Sequence, residues 1–100
     1  RADIPLAHQI VQSNHTSFEA GLKYNQNLSE TSSLIVLTVK NKIILDKEYK
    51  RLENLGFNLT KFNEPSWNYG FTSFASEPIS NEERKYFKNL QLWKGKEYVL

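Results

Sequence analysis

The run Leu34-Ile35-Val36-Leu37-Thr38-Val39 restricts the fold more than any other part of the chain. Five of its six side chains are aliphatic, and apolar residues fall on both alternating sets. A strand of that composition has no face for water, so it belongs between covering layers. The flanking segments supply candidates for those layers. Residues 5–24 place Leu6, Ala7, Ile10, Val11, Phe18 and Leu22 at helical spacing, and Pro5 suits a first helical turn. A polar loop is expected over residues 25–33. Asn41 is placed to cap a second helix running to about Leu55, with Leu45, Tyr49, Leu52 and Leu55 inward and Gly56 as its stop.

Residues 57–62 and 71–76 read as strands, separated by a loop marked by Pro65, Asn68 and Gly70. Ser80-Asn81-Glu82-Glu83 has the form of a capping box and opens a last helix to about Leu90. The order helix, strand, helix, strand, strand, helix predicts an α/β layered domain. At 100 residues and 39% hydrophobic, the chain suffices for one domain with one core. No apolar run approaches the roughly 20 residues that span a bilayer. Cysteine is absent, which removes disulfides and thiolate chemistry. With no signal-like segment, a cytoplasmic location is expected. Methionine is absent too and the chain opens Arg1-Ala2-Asp3; a processed or shortened N-terminus is the expectation.

The first helix carries the chemistry. His8, Gln12, His15 and Glu19 fall in one narrow sector at about 100° per residue, beside Val11 and Leu22. Both histidines of the chain lie in that sector. A solvent face more typically collects Lys and Glu, so the grouping points to a polar ridge at the edge of a pocket.

At these residues the chain resembles a known family. Arg1-Ala2-Asp3, followed by Gln12-Ser13-Asn14-His15, is similar to the R-x-D-L…A-Q-x-x-H-A signature of type II peptidyl-tRNA hydrolases. Leu55-Gly56-Phe57 resembles that family's helix-ending L-G-[IVL]. Phe62-Asn63-Glu64-Pro65, then residues 72–78, resembles its D-x-G…T-V-L-x-I-G-P ending, and more closely the F-x-E-P of a bacterial branch. The resemblance runs from Arg1 to about Leu92. It implies a single three-layer α/β domain over residues 1–100, with a mixed, mostly parallel four-stranded sheet and helices on both faces. Arg1–Asp3 would be the tail of an internal first strand largely missing from this chain, so upstream residues are expected.

The resemblance also implies an activity, cleavage of the ester between a peptide and the 3′ end of tRNA. Aligned on Gln12 and His15, the family's site lysine is replaced by His8 and its glycine by Ala7; Glu64 stands for its aspartate and Thr72 for its threonine. The loop from Glu64 to Thr72 is shorter than the family's. The expected catalytic residues are therefore His15, His8, Glu64 and Thr72, with Gln12, Trp67 and Tyr69 binding substrate.

Ester hydrolysis needs a base for water and donors for the oxyanion. Imidazoles titrate near 6.5 and suit the first role, which contributes about 10²–10⁴-fold. Trp67 and Tyr69 flank Asn68 in the loop beside Glu64, where rings could stack on a terminal base. Two basic groups, one from Lys40 to Lys61 and one from Arg84 to Lys96, could meet a tRNA backbone, although interspersed acids favour a solvated mixed-charge face. Neither a cofactor nor a metal is expected, since His8, His15 and Glu19 lack the H-E-x-x-H pattern. Candidate partners are tRNA and a second copy of the chain, and no membrane. A non-catalytic member of the fold, binding RNA, a nucleotide or a protein partner, is the competing reading; His8 in the lysine's place favours it.

Overall fold

The computed structural model describes residues 1–24 and 34–95. The expected loop over residues 25–33 and the last basic residue, Lys96, lie outside the described residues. In chain order the elements are α1 (Leu6–Lys23), β1 (Leu37–Thr38), α2 (Lys42–Asn54), β2 (Leu59–Glu64), β3 (Gly70–Ser76) and β4 (Gln91–Leu92). Short 3-10 turns occupy Ser66–Asn68 and Glu83–Phe87.

Local chemistry fixes most of these limits. The Asn41 side chain accepts from the Ile44 N–H at 3.0 Å and starts α2. Gly56, at φ +98°, ends it in a conformation that suits glycine. The capping box forms reciprocally: Ser80 N–H donates to Glu83 Oε1 and Glu83 N–H to Ser80 Oγ. The helix expected there is only the 3-10 turn Glu83–Phe87.

The expected mixed, mostly parallel four-stranded sheet is not the architecture. The strands form two separate two-stranded sheets, β1 with β4 and β2 with β3, both antiparallel. The β2–β3 connection of five residues, 65–69, is too short for a parallel crossover. In β1 only Leu37 and Thr38 pair, while Leu34, Ile35 and Val36 stay exposed. No ladder joins β1 to β3. Arg1 and Ala2 connect the two sheets instead: Ala2 N–H donates to Val39 O at 2.8 Å, and Arg1 Nη1 donates to the carbonyls of Tyr69 and Phe71.

The β2–β3 hairpin is the centre of the molecule. Neighbouring strand residues point to opposite faces, so Phe62 stacks on His15 of α1 while Lys61 lies over Tyr49 of α2. On the α2 side the packing is apolar. Leu52, Phe57 and Leu59 form its buried cluster, joined by Tyr49, Phe74, Ile79 and Phe87, and Tyr49 meets Phe71 and Phe74 edge-on. Leu55, expected inward, is exposed.

The α1 side is polar. The helix buries Gln9, Gln12 and Thr16 and leaves Ile10, Val11, Phe18 and Leu22 exposed. Its apolar stripe points outward. The partner surface explains this orientation, because the hairpin offers Glu64, Thr72 and Ser73, which need hydrogen bonds rather than methyl groups.

Two truncations of α2 should separate its faces. Leu52→Ala, at 0% exposure, should cost about 2–5 kcal/mol in urea unfolding. Ile43→Ala, at 77%, should stay within about 0.5 kcal/mol.

Candidate functional site

A bulge in the hairpin sets the geometry. Phe62 pairs with Ser73 and Asn63 with Phe71, so Thr72 is the extra residue of β3. Consecutive residues Thr72 and Ser73 therefore both reach α1. Thr72 Oγ1 donates to Gln12 Oε1 at 2.7 Å, and Ser73 Oγ donates to Gln12 O at 3.0 Å. Ser73 also bonds Thr16. The other end of the Gln12 amide, Nε2, donates to Glu64 Oε2 at 3.0 Å. One side chain thus links both strands to the helix. Gln12 is 2% exposed and Thr72 0%, and among the described residues no buried side-chain polar atom lacks a partner.

Glu64 lies at the outer end of this network. Its second oxygen, Oε1, accepts from the Ser66 N–H at 3.1 Å. The Gln12 bond, then the Ser66 bond, and last the nearby His15 hold its carboxyl below the usual carboxylate range, against some desolvation. Glu64 is therefore an anion at neutral pH. His15 is exposed, and its ring stacks on Phe62 at 4.7 Å with an interplanar angle of 5°.

At the other end of the helix strip stands an aromatic group. His8 Nδ1 and Tyr69 Oη lie 2.7 Å apart as a hydrogen-bonded pair. The Trp67 ring lies 4.6 Å from His8 and 5.6 Å from Tyr69. Trp67 and Asn68 adopt left-handed backbone, at φ +56° and +57°. Arg1 anchors the end of this turn through the Tyr69 carbonyl and ion-pairs with Asp3 at 2.8 Å. Burial opposes ionisation of Asp3, but the Arg1 bond and charge prevail and its carboxyl is held low.

His8, Gln12, His15, Glu64, Trp67, Tyr69 and Thr72 thus lie along one line where α1 crosses the hairpin. Gln12 and Thr72 are sealed inside it, however, so they position neighbours rather than meet a ligand. Glu19 is exposed, with no contact in the strip. Sequence reasoning missed Thr16, Ser73 and Phe62. Thr16, one turn after Gln12, was legible as a polar residue of the same face; Phe62 was read only as part of a motif.

Some of the basic residues have partners elsewhere. Arg51 bonds Glu48, the Tyr86 carbonyl and Asn89; Lys50 pairs with Asp46; Lys61 lies over Tyr49 and Phe71. Among the described residues no three His, Cys, Asp or Glu are grouped to hold a metal, and no helix is long and apolar enough to cross a membrane. Comparison of the chain with family models, curated proteins and solved structures gives no match.

The Glu64 anion has a pH consequence with a definite sign. A carboxyl lowered in the folded state adds stability above its unfolded pKa and loses it as pH falls through the folded value. Gln12→Ala removes the largest cause of the lowering, so Glu64 should then titrate closer to an ordinary carboxylate. Carbon-13 NMR of the Glu64 carboxyl in both proteins checks this. An unchanged midpoint would remove Gln12 from its role.

Proposed function

We propose that the strip is an acyl-ester hydrolase site of the peptidyl-tRNA hydrolase type, with tRNA as the carrier of the ester. The observation that supports this most is an exposed imidazole, His15, stacked on Phe62 of the strand that carries the Glu64 carboxylate two residues on. In this reading His15 accepts a proton as water attacks the ester carbonyl. The carbon–oxygen bond to the ribose then breaks, and the proton passes to the departing 3′ oxygen. Glu64 stabilises the imidazolium formed between the two steps, while Gln12 and Thr72 hold the carboxylate in place. His8, with the Tyr69 hydroxyl, supplies polar contacts to the substrate.

One observation favours the second reading, a binding module without turnover. Gln12 and Thr72 are too deeply buried to touch a substrate, and histidine stands where the resemblance leads one to expect lysine.

Release of labelled peptide from peptidyl-tRNA distinguishes the two. Turnover is expected in the unaltered protein, falling about 10²–10⁴-fold in His15→Ala, with a smaller loss in Glu64→Gln. Binding of tRNA without release by the unaltered protein would establish the second reading.

A further inference from the structure

The turn at Trp67 shows two features that packing alone does not account for. An indole at 65% exposure gains little from burial. Its own backbone and that of Asn68 are left-handed, a conformation that costs bulky residues on the order of 1–3 kcal/mol. The result is a large ring presented to solvent and backed by the His8 ring at 4.6 Å, tilted by 36°. The Tyr69 hydroxyl fixes that His8 ring in turn. Tyr69 meets the His8 ring edge-on at 64° and braces it from the side, while the indole stays largely open to solvent. An indole that presents its surface to solvent accepts another planar ring; a cage for an alkylated amine needs walls on several sides.

We propose that the Trp67 indole, supported by His8 and Tyr69, binds one unstacked nucleobase, and that this contact fixes the direction of the substrate along α1. The inference rests on the hydrolase reading for its direction only. Glu64 lies between the aromatic group and His15, and its carboxylate repels phosphate. The sugar–phosphate backbone therefore leaves on the far side of the turn, where the exposed Lys42 ammonium lies against Gly70. From His8 to His15 the helix rises about 10 Å, the scale of a single nucleotide. The base lies at the Trp67 end, the ester near Glu64 and His15, and the acyl group continues toward Phe62 and the exposed Val11 and Leu22.

The test uses the full chain carrying Trp93→Phe, so that Trp67 is the sole indole. Its fluorescence is titrated with the trinucleotide cytidylyl-cytidylyl-adenosine and with the same molecule lacking the terminal base. Saturable quenching by the first is expected, with binding at least about 10-fold weaker for the second, as one stacked base is worth. By a competition readout, Trp67→Ala should lose the same factor and Trp67→Phe recover part of it. Equal binding of both trinucleotides, or no effect of Trp67→Ala in a protein with unchanged circular dichroism, would overturn the proposal. So would quenching by trimethyl-lysine alone.

Peptide release separates the two proposals. Trp67→Ala should raise KM and spare kcat, whereas His15→Ala should lower kcat. Base-dependent binding without release sinks the hydrolase reading and keeps the base site. Release with KM unchanged in Trp67→Ala does the reverse.

Discussion

The Gln12 amide is the interaction on which the rest of this structure depends. It accepts from Thr72, donates to Glu64, and its backbone carbonyl takes the Ser73 hydroxyl. Hydrogen bonds of this kind add only about 0.5–1.5 kcal/mol each to stability, but leaving a buried partner unmade costs about 1–3 kcal/mol. That asymmetry makes Gln12 a device for specificity. With the Thr72 hydroxyl sealed at 0% exposure and its other acceptor, the Phe62 carbonyl, at 3.5 Å, a helix register that brings a closer acceptor is favoured. An aliphatic residue at position 12 would leave Thr72 with the Phe62 carbonyl at 3.5 Å and Glu64 with the Ser66 N–H.

The orientation of α1 follows from that requirement. A helix with an apolar stripe usually turns the stripe inward, and here it does not. The hairpin has already used its apolar face against α2, through Leu59, Phe71 and Phe74. What remains for α1 is a bulged surface with two adjacent hydroxyls and a carboxylate. Polar pairing in a low-dielectric setting outweighs the loss of apolar burial on Phe18 and Leu22, because unmet buried polar groups are more costly than exposed aliphatic ones. The same seating leaves His15 exposed on the hairpin side of α1 and half-buries His8 against Tyr69 and Trp67.

The sequence made α1 and α2 legible, while the last expected helix is only the 3-10 turn Glu83–Phe87. Asn41, Gly56 and the Ser80–Glu83 box act locally, and the structure uses each as its chemistry directs. The shared sector of His8, Gln12 and His15 was legible for a similar reason, since helical geometry alone places them together. The sheet was not. Periodicity cannot tell which strands pair, and the aliphatic run over residues 34–39 suggested a fully covered strand, whereas only two of its residues pair and three are exposed. Nor does any pattern in the sequence announce that Thr72 is a bulge residue. That extra residue turns an ordinary strand threonine into the anchor of the helix, and it appears only once the register of the hairpin is known.

A double-mutant cycle on Gln12→Leu and Thr72→Val tests this dependence most directly, because it replaces both partners of the sealed bond by apolar groups of similar shape. Each single change is expected to cost about 1–3 kcal/mol in urea unfolding. Together they should cost less than the sum, with a coupling of about 0.5–3 kcal/mol. Strictly additive costs would mean that the two side chains do not depend on each other. The amide would then not be what seats α1 on the hairpin.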